Sequence, residues 1–122
     1  MTKLLIAGSR TLDIDLHMLG GILLQLGFDD WNKLEIVHGG ANGVDKSADK
    51  FADHWKLKKK VFLADWDKLG KGAGHARNAE MSKYSHELVL IWDGESKGSL
   101  NMLETMKKLK KPVYEIILKC YN

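Results

Sequence analysis

Two arginines stand apart from the other basic residues of this sequence. Arg10 and Arg77 are the only arginines among 19 lysine and arginine residues, and each lies in or beside a polar, glycine-containing segment. A guanidinium group offers a planar set of donors that suits phosphate, whereas a lysine ammonium acts as a point charge. The pair is therefore a candidate phosphate-binding pair. The alternative is that a lysine-biased composition leaves two arginines by chance.

Glycines concentrate in the segments that follow the predicted strands. These segments are residues 8–10, 38–43, 65–74 and 93–99, whereas the opposite connections, 27–33, 56–60, 85–86 and 110–111, contain only Gly27. Glycine lets the backbone approach a ligand closely, and free amides at helix N-termini attract phosphate. This asymmetry predicts an anion or nucleotide site on one edge of the fold. The alternative is that strand-to-helix turns are rich in glycine whatever they bind.

Five short apolar runs alternate with helical patterns and must position these segments. The predicted strands are residues 4–7, 34–37, 61–64, 88–92 and 113–118, and the polar third helix is predicted over 75–84, with Arg77 just inside it. The lysine run 56–60 is predicted to be the solvated end of the second helix. Alternating strands and helices favour a parallel sheet covered on both faces. We expect a single α/β domain over residues 1–122, a Rossmann-like doubly wound sheet of order 3-2-1-4-5 with ligands at the carboxyl edge.

Composition excludes several classes of protein. Hydrophobic residues make up 44% and charged residues 29% of the 122 residues, which argues against disorder. No apolar run is long enough to span a membrane, and the N-terminal apolar run is too short for a signal peptide. Cys120 is the one cysteine, so no internal disulfide is expected. No spacing of potential ligands typical of a metal site is present, and we expect a cytoplasmic protein without a cofactor. The net charge of +3 is low for a protein that binds nucleic acid through a basic surface.

Single polar and aromatic residues leave alternatives open. His38 at a strand end fits a base, although a hydrogen-bonded structural histidine is the more common outcome. Asp45 in the first turn of the second helix fits either helix capping or ribose binding. Trp66 fits either stacking on a base or pinning its loop to the core. Gly20 and Gly21 interrupt the first helix at a cost of about 1 kcal/mol each, and close packing on the sheet would explain them.

Five motifs, in order, resemble one known group of proteins. They are Gly8-Ser9-Arg10, then Gly39-Gly40-Ala41-Asn42-Gly43-Val44-Asp45, then Ala64-Asp65-Trp66, then Ala73-Gly74 with Arg77-Asn78 and Met81, and finally Trp92-Asp93-Gly94 with Ser96, Gly98 and Ser99. This order resembles the YspA-like branch of the SLOG superfamily, which also holds the LOG and Smf/DprA proteins. The resemblance covers the chain from the first strand to the fourth helix. It implies a Rossmann-like fold and a nucleotide-derived ligand, in a branch often carried by phages.

The resemblance also implies which residues contact the ligand. They are Gly8, Ser9, Arg10, Gly39, Gly40, Ala41, Asn42, Gly43, Asp45, Trp66, Arg77, Asn78, Asp93, Gly94, Ser96, Gly98 and Ser99. LOG enzymes cleave the N-glycosidic bond of nucleoside monophosphates with an arginine, matched here by Arg77, and a glutamate, whose position is Met102. Glu104 lies two residues further on and would point elsewhere. The missing carboxylate argues against hydrolysis of the LOG type.

Three functions follow from these observations. The leading one is a nucleotide-ligand binder that acts as a sensor or sequestering protein, with phosphate held by the amides of residues 39–43 and 98–99 and by the two arginines. The second is a nucleotide glycosidase or phosphohydrolase that uses Asp45, Glu80 or Asp93. The third is a DprA-like single-stranded DNA binder, which the weak net charge does not favour. We also expect a homodimer or higher homo-oligomer, because Trp31, Trp55, Met102 and Met106 exceed what a small core readily hides.

Overall fold

A five-stranded, all-parallel sheet forms the centre of the molecule. The computed structural model describes residues 1–119, so Cys120 lies outside the described residues. The strands are β1 (Thr2–Gly8), β2 (Leu34–His38), β3 (Lys58–Val61), β4 (Glu87–Trp92) and β5 (Val113–Ile117), and their order is β3-β2-β1-β4-β5. The predicted Rossmann-like α/β fold and strand order are confirmed.

Within residues 1–119, four helices cover the two faces of this sheet, and a fifth consists of a single turn. They are α1 (Leu16–Gln25), α2 (Val44–His54), the single turn α3 (Trp66–Leu69), α4 (Ala73–Tyr84) and α5 (Lys97–Lys108), with short 3-10 turns at Trp31–Lys33 and Gly70–Gly72. Successive strand residues point to opposite faces. Leu4 and Ile6 therefore pack in one hydrophobic core with α1 and α2, while Leu5 and Ala7 pack in a second core with α4 and α5. Coverage of both faces explains the continuous apolar runs in β1 and β4.

The third strand begins three residues earlier than its predicted start. Lys58 pairs with Glu35 and Val61 pairs with His38, so the run of lysines forms the strand itself and not the end of a helix. All four residues of β3 are exposed, because it is an edge strand, and lysine is common at such edges, where it discourages pairing with other chains. Lys59 forms ion pairs with Asp49 at 3.0 Å and Asp53 at 2.7 Å on α2. The predicted position was wrong because only Val61 of the apolar run 61–64 lies in the strand and the other three residues follow it.

The segment before α4 is more regular than the predicted loop. Asp65 caps the single turn α3 by accepting a hydrogen bond from the amide of Lys68 at 3.0 Å. The fourth helix then begins at Ala73, two residues before the predicted start. Arg77 is therefore in the second turn of α4 and not just inside its N-terminus. Its side chain reaches the carboxyl edge of the sheet from the body of a helix.

Two of the four residues proposed for self-association belong to the core. Met102 and Met106 lie on the buried side of α5, where they pack against the sheet. Trp31 is half-buried and packs edge-to-face against Phe51 and Trp55, with ring centroids 4.9 and 5.3 Å away. Trp55 alone of the four is classed as exposed. Within residues 1–119, no helix is both long enough and apolar enough to cross a membrane.

Candidate functional site

Two adjoining pockets open at the carboxyl edge of the sheet. The inner pocket has a volume of about 120 Å³. It is lined by Ala7, Gly8, Arg10, Ala41, Asp45, Arg77, Asn78, Met81, Ser96, Gly98, Ser99 and Met102. The outer pocket has a volume of about 410 Å³ and is lined by Arg10, Gly39, Gly40, Ala41, Asn42, Leu63, Ala64, Trp66 and Arg77. Because Arg10, Ala41 and Arg77 line both, the two pockets form one cleft with both arginines at their boundary.

Several residues with a predicted ligand contact do not line this cleft. Ser9 is buried, its hydroxyl accepts a hydrogen bond from the amide of Asp93 at 3.1 Å, and its carbonyl accepts one from the amide of Val44 at 3.2 Å. Gly43 has φ +75°, and a Cβ there would lie 2.3 Å from the carbonyl oxygen of Ser9. These two residues join the β1 turn to β4 and α2. Part of the glycine richness of this edge therefore reflects packing and not ligand binding.

Asp93, Gly94 and Glu80 also lie outside the two pockets. One oxygen of Asp93 accepts hydrogen bonds from the amides of Glu95 at 2.9 Å and Ser96 at 3.0 Å, and these bonds hold the pKa of the Asp93 carboxyl below its usual value. Glu80 is exposed on α4, and Gly94 is exposed in the turn before α5. Of the three candidate catalytic carboxylates, only Asp45 lines the inner pocket.

The guanidinium of Arg77 is held in place without a carboxylate partner. Its Nη1 donates a hydrogen bond to the carbonyl of Gly39 at 3.1 Å. Its Nε is buried and finds no hydrogen-bond partner among residues 1–119. In that same part of the chain, no carboxylate oxygen lies within 4.0 Å of either Arg77 or Arg10. Burial lowers the pKa of Arg77, the charge of Asp45 opposes this, and the charge of Arg10 adds to the lowering. The cleft therefore holds two guanidinium groups and the carboxylate of Asp45, with no direct ion pair between them in the described residues.

The N-terminus of α5 contributes a second set of donors. Ser96 caps the helix by accepting a weak hydrogen bond from the amide of Ser99 at 3.5 Å. Ser99 is 4% exposed, and within the described chain its hydroxyl has no hydrogen-bond partner. Asn78 joins α4 to this helix, since its Nδ2 donates to Asn101 at 2.9 Å and to the carbonyl of Gly98 at 3.4 Å. The inner pocket thus holds an unused hydroxyl beside a helix N-terminus.

The side chain of Asp45 accepts hydrogen bonds from two amides of the preceding glycine loop. Its Oδ2 accepts hydrogen bonds from the amides of Gly39 at 3.0 Å and Ala41 at 3.3 Å. Burial raises the pKa of Asp45, while the Ala41 amide and the charge of Arg77 partly oppose this rise. Two of the amides predicted to hold phosphate are therefore already bound within the protein.

The side chain of His38 accepts a hydrogen bond from a third amide of that loop. Its Nδ1 accepts a hydrogen bond from the amide of Gly40 at 3.0 Å. Its Nε2 lies 2.8 Å from a carboxylate oxygen of Asp49. An N–H can only donate, so Nδ1 is the unprotonated nitrogen and Nε2 carries the proton. Because both ring nitrogens are engaged and the ring is buried, His38 is a structural histidine and not a free base.

A comparison with known proteins relates the chain to a bacteriophage protein. The two sequences are 31% identical over 121 residues, and the match covers 93% of this chain and 94% of the Gene 61 protein of Mycobacterium phage D29. The chain belongs to the family of this phage Gene 61 protein. No protein-family model matches the chain, and no solved structure matches it.

A phage-encoded relative agrees with the phage association that the resemblance to YspA-like proteins implies. The name of the Gene 61 protein states no ligand and no reaction. Among residues 1–119, no group of three or more His, Cys, Asp or Glu side chains is placed to hold a metal ion.

In this member of the Gene 61 family, thioethers form the floor of the inner pocket. Met102 is 1% exposed and lines this pocket together with Met81. The resemblance includes Met81 in a motif and matches Met102 to a glutamate position, but neither residue, nor Ala7, was predicted to contact the ligand, because apolar residues at helix and strand spacing indicate core. Their contact with both the core and the pocket is visible only once α4 and α5 are packed.

Trp66 and Leu63 form the apolar wall of the outer pocket. The side chain of Trp66 is 50% exposed, and that of Leu63 is 75% exposed. Sequence reasoning placed Leu63 in a strand and did not include it in the site. An exposed aromatic face beside an exposed aliphatic side chain offers a surface on which a flat ring can lie.

Proposed function

We propose that this protein binds a phosphate-bearing, nucleotide-derived small molecule in the inner and outer pockets, as a sensor or sequestering protein of the SLOG type. One observation carries the proposal. The only two arginines of the chain line both pockets, and no carboxylate oxygen within residues 1–119 comes within 4.0 Å of either guanidinium. Two cations that disfavour one another would be stabilised by an anion between them.

The donors around the inner pocket fit a phosphate group. The hydroxyl of Ser99 and the Nε of Arg77 both lack partners within the described residues, and α5 presents its N-terminus to the same pocket. Hydrogen bonds between a guanidinium and phosphate are about twice as strong as neutral ones. Amides at a helix N-terminus stabilise an anion further. Phosphate here would satisfy donors that the protein leaves unused.

The sizes of the two pockets fit the remainder of a nucleotide. Ligand pockets commonly measure roughly 300–1,000 Å³, so the inner pocket, at about 120 Å³, is small for a whole nucleotide. The outer pocket, at about 410 Å³, lies within the common range and carries the exposed face of Trp66. We infer that phosphate occupies the inner pocket and that the base lies against Trp66 in the outer one.

Hydrolysis of the nucleotide is the second candidate, and the position of Asp45 favours it. This carboxylate lines the inner pocket, and burial raises its pKa, which is the direction of shift that favours a carboxyl group as a proton donor or acceptor in catalysis. Met102 stands against the LOG mechanism, because a thioether neither activates water nor stabilises an oxocarbenium-like centre. Chromatography of nucleoside monophosphates incubated with the protein tests this candidate: release of free base or of phosphate would support it, and unchanged substrate would contradict it.

A thermal-shift screen tests the binding proposal. The four common ribonucleoside 5′-monophosphates are compared with their parent nucleosides and with a single-stranded oligonucleotide. Ligand at ten times its Kd stabilises a folded protein by about 1.4 kcal/mol, which raises the Tm by several degrees in a protein of this size. We expect at least one monophosphate to do so while its nucleoside does not. Equal shifts with nucleoside and monophosphate would contradict the proposal, and a larger shift with the oligonucleotide alone would favour the DNA-binding alternative.

A further inference from the structure

Asp45 keeps one carboxylate oxygen unused inside the inner pocket. The residue is only 5% exposed, and its Oδ2 takes both hydrogen bonds from the glycine loop. Its other oxygen, Oδ1, accepts no described hydrogen bond within residues 1–119. This oxygen is not among the described solvent-excluded atoms, so water, or a ligand that enters the inner pocket, can reach it.

Holding the loop does not require this second oxygen or the negative charge. A single neutral carbonyl oxygen accepts two amide hydrogen bonds, so asparagine could hold Gly39 and Ala41 in the same way. Burial of the carboxylate makes its charge unfavourable, as the raised pKa of Asp45 shows. The charge and the free oxygen therefore exceed what the loop needs, and they lie where a ligand would meet them.

We propose that the free oxygen of Asp45 accepts a hydrogen bond from a sugar hydroxyl of the bound nucleotide, and that Asp45 thereby selects ligands that carry this hydroxyl. The inference rests on the proposed function, since it assigns a role within the same cleft. It names the ligand class more narrowly, as a ribose phosphate and not a deoxyribose or a simple phosphate.

The arrangement of charge in the pocket favours a hydroxyl over other donors. Phosphate oxygens are repelled by the carboxylate of Asp45, so they lie towards Arg77 and Ser99. The donors that a nucleotide carries next to its phosphate are the hydroxyls of the sugar. The amino groups of a base are further from the phosphate and would lie in the outer pocket beside Trp66. A site built around a hydroxyl rejects the analogue that lacks it, because its own polar atom is then left unpaired.

Calorimetric titration of wild-type protein and Asp45→Asn tests the inference. The probes are ribose 5-phosphate, its 2-deoxy and 3-deoxy analogues, and inorganic phosphate. Wild-type protein should bind ribose 5-phosphate about tenfold more tightly than at least one deoxy analogue, the usual worth of a hydrogen bond to a charged group. Asp45→Asn should lose this preference and still bind inorganic phosphate at least as tightly, because a negative charge has been removed.

Asp93→Asn is the matched control. Asp93 also accepts two backbone amides through one oxygen, but it lies outside both pockets. This variant should keep the preference for ribose 5-phosphate. A loss of preference in both variants would mean that loop stability, and not a contact with the ligand, sets the preference, which overturns the inference.

Two further outcomes overturn it while leaving the proposed function in place. One is equal binding of ribose 5-phosphate and both deoxy analogues by wild-type protein, a result that needs no variant to fold. The other is an unchanged preference in Asp45→Asn. If neither inorganic phosphate nor any of the sugar phosphates binds the wild-type protein, the proposed function fails first and the inference fails with it.

Discussion

The guanidinium of Arg77 lies directly over the backbone of Gly39. Its Nη1 donates to the Gly39 carbonyl at 3.1 Å, and a Cβ on Gly39 would lie 2.9 Å from Nε. Glycine at this position therefore lets the arginine approach from the body of α4. The contact fixes one side of the guanidinium against the protein, and Nε, which is buried on that side, has no partner in the described chain.

Ser99→Ala should weaken binding of nucleoside monophosphates by roughly 0.5–1.5 kcal/mol, the usual worth of one hydrogen bond. Ser85→Ala provides the matched control, because the hydroxyl of Ser85 is also buried and unpartnered within residues 1–119 but lines neither pocket. Because neither hydroxyl forms a hydrogen bond within residues 1–119, neither substitution should destabilise the fold appreciably. Calorimetry on both variants checks this, and equal affinity losses would remove Ser99 from the site.

Asp45→Asn should change the pH dependence of stability. Burial raises the pKa of Asp45 above its usual value of 3.8, so between the usual and the raised pKa the folded protein holds more protons than the unfolded chain. Stability of the wild type therefore falls as pH rises through this window. The free energy of unfolding of Asp45→Asn, relative to the wild type, should be greater at pH 7 and should decline as pH falls towards 3.8.

Asp93→Asn should show the opposite trend. Amide hydrogen bonds hold the pKa of Asp93 below 3.8 in the folded protein, so this carboxylate stabilises the fold at neutral pH. The variant should be less stable than the wild type at pH 7, and the difference should shrink as pH falls below 3.8. Urea unfolding at several pH values measures both variants, and parallel trends in the two would contradict these assignments.

Gly21→Ala should stabilise the protein by about 0.5–1 kcal/mol. Gly21 is exposed within α1, and a Cβ there would meet nothing within 4 Å, so only the helix propensity changes. Gly8→Ala should be strongly destabilising, because its Cβ would lie 1.7 Å from the carbonyl oxygen of Ile91. Thermal unfolding compares the two. Gly21 also lines an apolar hollow between α1 and α2, so a destabilised Gly21→Ala would indicate that a second copy of the chain packs into this hollow.

We expect the protein to self-associate through an apolar hollow on its surface. Met102 and Met106 are core residues, which leaves exposed Trp55 beside Leu24 and Trp31 in an apolar hollow between α1 and α2. Light scattering at high micromolar concentration should give a mass above that of one chain. Trp55→Ser should reduce this mass if the hollow is the interface, and a monomeric mass for the wild type would contradict the expectation.

Continuous apolar runs made the centre of the fold predictable. Residues 4–7 and 88–92 are buried on both faces of the sheet. Each of these strands is therefore an unbroken apolar run, which the sequence shows directly. The edge strand β3 gave no such signal, because its four exposed residues include three lysines and its pairing depends on β2. The single turn α3 likewise depends on one local cap by Asp65.

The site was predictable where residue type and chain position sufficed. Glycines and arginines that follow parallel strands must share one edge, and Arg10 and Arg77 do line the same cleft. The binding of the loop amides by Asp45 and His38 was not predictable, because it depends on side-chain directions set by α2 and β2. The position of Met102 in the pocket floor depends in the same way on how α5 packs against β1.

The most direct test of the account is the affinity of Arg77 variants for a nucleoside monophosphate that stabilises the wild type. Arg77→Lys keeps the charge but loses the planar fork, so binding should weaken by roughly 1–3 kcal/mol. Arg77→Ala should weaken it at least as much, and Arg10→Lys should weaken it less, because Arg10 is exposed at the boundary of the two pockets whereas Arg77 is half-buried.

Lys83→Ala, on the exposed side of the same helix, removes the same charge outside both pockets and should bind like the wild type. Calorimetry on the four variants gives the result. Wild-type affinity in Arg77→Ala, with an unchanged melting curve, would contradict the proposed phosphate site.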